Sequence, residues 1–68
     1  MLGNNKLRIQ EALGPQKFNE VYTFLKLHRA KGTDDQLVRA ELQRMVNGRK
    51  DLMSHCQYLD GIVYMEMN

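Results

Sequence analysis

An all-α domain is what this sequence predicts: a small compact helical bundle of three longer helices plus a short N-terminal helix. Three observations carry that expectation. Apolar residues recur at three- and four-residue spacing along most of the 68 residues, the period of a helix with one buried face. Glycines at 14, 32 and 48 divide the chain into helix-sized segments, and glycine is the residue that most often terminates a helix. No stretch of useful length alternates apolar and polar residues as a half-buried strand does.

Met1 to Asn5 is expected as a flexible lead-in, with residues 6–66 forming one interaction domain. Asn4 or Asn5 is placed to cap a short helix from Lys6 to Leu13, and Gly14 to stop it. Leu7, Ile9 and Leu13 do not form one clean stripe there. The second helix, Pro15 to Lys31, is the longest amphipathic stretch. Pro suits the first helical turn, where its missing N–H has no partner to lose. Phe18, Val21, Tyr22 and Leu25 share one face at i, i+3, i+4 and i+7. Phe24 and Leu27 fall on another face, so this helix needs covering on two sides.

Thr33 followed by Gln36 reads as a capping box opening a third helix, about Asp34 to Val46. Asp34 and Asp35 would then favour its N-terminal dipole, and Asp35 is spaced to pair with Arg39. Leu37, Val38, Leu42, Met45 and Val46 are its apolar positions, and Asn47-Gly48 ends it. The last helix is expected from about Lys50 to Met65. Leu52, Cys56, Leu59 and Val63 mark one face, with Met53 and Ile62 beside it. Gly61 sits inside this pattern, as a kink, a site of close approach or a plain helix weakener. Phe18, Val21, Tyr22, Leu25, Val38, Leu42, Cys56 and Leu59 form the expected core.

Size limits what such a chain does. A domain this short buries only about 60% of the surface its unfolded form exposes. One cysteine excludes an intrachain disulfide, and Cys56, His28 and His55 are too few for a closed zinc site. Helix packing and association remain as sources of stability. A single cysteine points to a reducing compartment. The +2 charge comes from 10 basic and 8 acidic residues, without the excess a nucleic-acid binder carries. No apolar run approaches a membrane span.

His55 and Cys56 are adjacent, and helix neighbours point about 100° apart, so they do not make a thiolate–imidazole pair. No glycine-rich phosphate loop, paired catalytic carboxylates or metal motif is present. The chain is therefore expected to be no enzyme and to need no cofactor. Arg29, Lys31, Arg39, Arg44, Arg49 and Lys50 cluster on or near the third helix. They supply an alternative, a small helical DNA-binding domain, but Asp34, Asp35 and Glu41 are interspersed among them.

Tyr22, Phe24, Tyr58, Tyr64 and four methionines are more than four short helices can enclose, and such residues are enriched where partners dock. Phe24 and Leu27 on the second helix, with Tyr58, Ile62 and Met65 on the last, are the expected partner-binding residues. They would line an apolar groove for an amphipathic helix of a partner protein. The competing expectation is that Leu7 and Ile9 of the first helix fill that groove. A self-associating structural unit is the other alternative.

Leu13-Gly14, Phe18, Glu20-Val21-Tyr22 and Leu25-Lys26 resemble a pattern of the C-terminal tail module of NIMA-related protein kinases, Leu-Gly-x-x-x-Phe-x-Glu-Val-Tyr-x-x-hydrophobic-Lys. Downstream, an acidic link at Thr33 to Asp35, a helix ending in Val46-x-Gly48 and a final apolar helix keep the same order. The resemblance covers about Ala12 to Glu66. No kinase motif is present, so it implies a docking module outside the catalytic domain of a serine/threonine kinase. It further implies a cytoplasmic setting at the cilium, basal body or centrosome.

Overall fold

The structure, a computed structural model, describes residues 2–67. Four helices follow one another: α1 (Leu2–Leu13), α2 (Pro15–Lys31), α3 (Asp35–Met45) and α4 (Lys50–Met67). This is the expected all-α bundle. Its radius of gyration is 11.0 Å, matching the ~11 Å of a compact chain of this length.

The helix ends explain the connections. Gly14, at φ 88°, separates α1 from α2, and Pro15 occupies the first position of α2. Gly32 closes α2 in the left-handed conformation, with its N–H on Arg29 O and the Thr33 N–H on His28 O. That pairing satisfies carbonyls which a helix end leaves without partners. Asn47, at φ 56°, takes the left-handed position after α3, and the Gly48 N–H bonds back to Gln43 O at 2.8 Å.

Two ends differ from expectation. α1 starts at Leu2, so Asn4 and Asn5 lie within the helix instead of capping it; Met1, the start of the expected lead-in, lies outside the described residues. The cap of α3 is Asp34, whose Oδ1 accepts the Gln36 N–H at 2.9 Å. Thr33 does not cap, because its hydroxyl is engaged with His28 Nδ1 at 2.9 Å. The expected capping box therefore does not form: a single bond to the Asp34 carboxylate caps the helix, and Leu37 at the third helical position has no polar side chain to return one.

α1 packs on α4 and α2, α2 packs on α4, and α3 makes the lightest contacts, against α2 and α4. The core consists of Ile9, Val21, Leu25, Val38, Leu42, Val46, Met53, Cys56, Leu59, Ile62 and Val63. Six of the eight expected core residues belong to it. Phe18 and Tyr22 are only half-buried, stacked on each other at 5.7 Å and packed against its edge. Ile9 of α1, Val46 at the end of α3, and Met53, Ile62 and Val63 of α4 complete the core, while Leu7 stays exposed. α4 passes through Gly61 without interruption.

Polar side chains fasten the bundle at two points. Arg29 of α2 grips Asp60 of α4 with Nε at 2.8 Å and Nη2 at 2.5 Å, and gives Nη1 to Asp35 of α3 at 2.6 Å. Asp35 therefore pairs with Arg29 and not, as its spacing suggests, with Arg39. At the other end Lys6 of α1, Tyr22 of α2 and Glu66 of α4 form a triangle. Tyr22 Oη donates to Glu66 at 2.6 Å, and Lys6 Nζ lies 3.0 Å from Glu66 and 3.1 Å from Tyr22 Oη.

Candidate functional site

The expected docking residues do not share one groove. Phe24 and Leu27 project from the side of α2 that faces away from α1. Phe24 is half-buried, with its ring 4.3 Å from that of His28. It lines a depression of about 520 Å³ between α2 and α3, together with Leu37, Val38 and Ala40. Leu37 is the most open large apolar residue here, 65% exposed. Leu27, half exposed, stands one turn beyond Phe24 on α2 and is not among the residues that line the depression.

The polar border of this depression is already engaged. His28 holds the Thr33 hydroxyl, which fixes the turn that swings α3 alongside α2. Glu41 and Arg44 pair across one turn of α3 at 3.4 Å. Of the apolar lining, Val38 belongs to the core and Phe24 packs on His28, while Leu37 and Ala40 are exposed. The chemistry this lining offers is therefore dispersion and water release, with hydrogen bonds only at its edge.

Tyr58, Ile62 and Met65 line a separate depression on α4, with Gln57 and Gly61. None of these residues lines the α2–α3 depression. The two sets part because Phe24 faces α3, whereas Tyr58 and Met65 are exposed on α4, Tyr58 beside Arg8 and Ile9 of α1. Ile62 corrects the expectation further: it is 3% exposed and belongs to the core. Tyr58 and Met65, at 54% and 60% exposure, are the surface members of that set. Of the first-helix residues expected to fill a shared groove, Ile9 is buried in the core and Leu7 is exposed, and neither lines either depression.

Leu37 is the contributor that the sequence pattern concealed. Its spacing places it among the apolar positions of α3, but it lies about 100° from Val38 around the helix axis. An apolar residue at that offset from a buried partner is the available signal.

Other constellations are structural in their surroundings. Cys56 is fully buried, and burial pushes its thiol above the usual range. His55 sits half-buried near Arg8, Ile9 and Tyr58. Among the described residues no group of His, Cys, Asp or Glu is arranged to hold a metal ion, and no helix is long and apolar enough to cross a membrane. Of the basic residues around α3, Arg29, Arg44 and Arg49 are each paired with carboxylates, which reduces the positive field they present.

Comparison of the chain with protein-family models, with curated proteins and with solved structures finds no match.

Proposed function

We propose that the chain is a non-catalytic protein-interaction module that binds the apolar face of a partner's amphipathic helix in the α2–α3 depression. The observation that supports this reading is the apolar surface of half-buried Phe24 with exposed Leu37 and Ala40, and exposed Leu27 one turn from Phe24, on a domain whose core is closed. An amphipathic helix presents anchors at i, i+3, i+4 and i+7, the form of ligand that a cleft between two helices accepts. The resemblance supports a role beside a NIMA-related serine/threonine kinase, bringing it to a partner at the cilium or centrosome. In this reading the chain itself carries out no chemistry.

The test uses the chain as bait in a lysate of ciliated cells, followed by mapping of the captured protein to a binding segment. That segment, as a synthetic peptide, should gain helical signal on binding. Leu37→Ser and Leu27→Ser should each weaken it at least tenfold, about 1.4 kcal/mol, while thermal melting stays near wild type. Phe24→Ser should lose affinity and stability together, because its ring also packs on His28 and the core edge. Equal affinity of the peptide for wild type, Leu37→Ser and Leu27→Ser would remove the α2–α3 site from consideration.

A further inference from the structure

The outward face of α4 has a composition that α2 and α3 do not share. Ser54, Gln57, Tyr58, Gly61, Tyr64 and Met65 are all exposed. They lie within an arc of about 120° on the side away from the core. None of them is charged; exposed Lys50, the first residue of α4, shares the arc but stands about 16 Å along the helix from Gly61. The exposed positions of α2 include Glu20, Lys26 and Lys31, and those of α3 include Arg39 and Arg44. Gly61 stands at the centre of the face. A Cβ there would meet nothing within 4 Å, and the helix runs straight through. Neither a turn nor packing within the fold calls for glycine at this position, although glycine weakens a helix relative to alanine. Its missing side chain leaves a depression of about 230 Å³ bordered by Tyr58, Ile62 and Met65.

We infer that this face pairs two copies of the chain, α4 against α4, antiparallel and crossing at Gly61. In a two-fold contact every residue near the axis meets its own copy or a close neighbour. A charge there meets a like charge, so a face without charge is the one that can meet itself. Two-fold symmetry about an axis across the helices puts Tyr58 of one copy level with residue 64 of the other and on the same side as Met65. Its ring then rests on the methionine of the second copy, a favourable sulfur–aromatic contact. Tyr64 meets Gln57 in the same way. Gly61 opposite Gly61 lets the backbones approach closely. Two half-exposed tyrosines, one methionine and the small polar residues give ~800–1,000 Å² of buried surface in all, the lower edge of specific interfaces. The pairing is therefore weak and reversible, with a dissociation constant of ~100 µM. It uses a different surface from the α2–α3 depression and does not depend on that site.

Sedimentation equilibrium from about 10 µM to about 1 mM, spanning the expected dissociation constant, tests the pairing. Wild type should rise from the 8.0 kDa of one chain toward twice that mass. Gly61→Glu and Tyr64→Glu, both at exposed positions, should each weaken association at least tenfold, with melting at low concentration confirming that they fold. Leu37→Ser should associate like wild type. Antiparallel pairing holds the two Ser54 positions ~21 Å apart along the axis, seven residues on either side of the crossing. Ser54→Cys should therefore not cross-link under mild oxidation. A wild-type mass fixed at 8.0 kDa would overturn the inference. So would association that both glutamate variants leave unchanged, or efficient Ser54→Cys cross-linking.

Discussion

Arg29 joins three helices through one side chain. Its fork matches the Asp60 carboxylate in the two-bond geometry that makes such pairs strong. Both partners are only 22% exposed, so water cannot readily replace a lost bond. The two carboxylates hold the guanidinium even more firmly protonated than usual, Asp60 first and Asp35 second. Arg29→Met keeps the aliphatic packing and strands Asp60, and should cost about 1.5–3 kcal/mol in chemical denaturation. Cys56 makes a simpler statement. Fully buried and raised in pKa by burial, it should react with a thiol reagent only when the domain opens. Its labelling rate should then track stability across variants, and rapid labelling under native conditions would contradict the packing described for it. Leu42→Ala removes a buried side chain and should cost about 2–5 kcal/mol.

At the level of the elements, the helices were largely legible in the sequence. α2 spans the expected residues because Pro15 and Gly32 punctuate it unambiguously. α4 starts where expected, at Lys50. The cap of α3 was not legible, because Thr33 and Asp34 are both good caps and the choice depends on His28 five residues earlier. Asp34→Ala should cost about 1 kcal/mol, whereas Thr33→Ala should loosen the turn through His28 without removing the cap. Gly61 lies in open space inside a continuous helix. At concentrations where the chain is monomeric, Gly61→Ala should stabilise it by about 1 kcal/mol, seen as a higher melting temperature. A lower one would show that glycine serves the fold at that position.

Across the molecule, long-range pairing is what the sequence left hidden. Arg29 with Asp60, and Tyr22 with Glu66, are separated by 31 and 44 residues, and no local spacing announces them. The candidate site suffered for the same reason. Phe24 and Tyr58 both lie off the main apolar stripes, but whether two surplus stripes face each other depends on how α1 and α3 flank them. The Lys6–Tyr22–Glu66 triangle also gives the stability a pH dependence. Hydrogen bonds from Tyr22 and then Lys6 hold the Glu66 carboxyl below its ordinary value of 4.5. Its contribution is present above pH 4.5 and lost as pH falls through the lower folded value. Bonds to Tyr22 and then Glu66 raise Lys6 above 10.5, so its part is complete below that pH and disappears on further alkalinisation. Glu66→Gln should flatten the acid limb of a melting-temperature profile, by a small amount because the pair is partly exposed.

The light packing of α3 has a consequence for how the molecule comes apart. Proteins open in cooperative pieces whose free energies differ, and the piece with the fewest buried contacts opens first. α3 is attached by Val38, Leu42 and Val46 on its inner side, by the Thr33 turn, and by one ionic bond from Asp35 to Arg29. Its backbone amides should therefore exchange with deuterium faster than those of α2 and α4, through an opening that leaves the other three helices in place. Asp35→Asn, which weakens only the bond that ties α3 to Arg29 and leaves the Arg29–Asp60 pair in place, should accelerate exchange in α3 selectively. The α2–α3 depression would then be lined on one side by the segment that exchanges first, so a ligand seated there should slow α3 exchange more than that of any other helix.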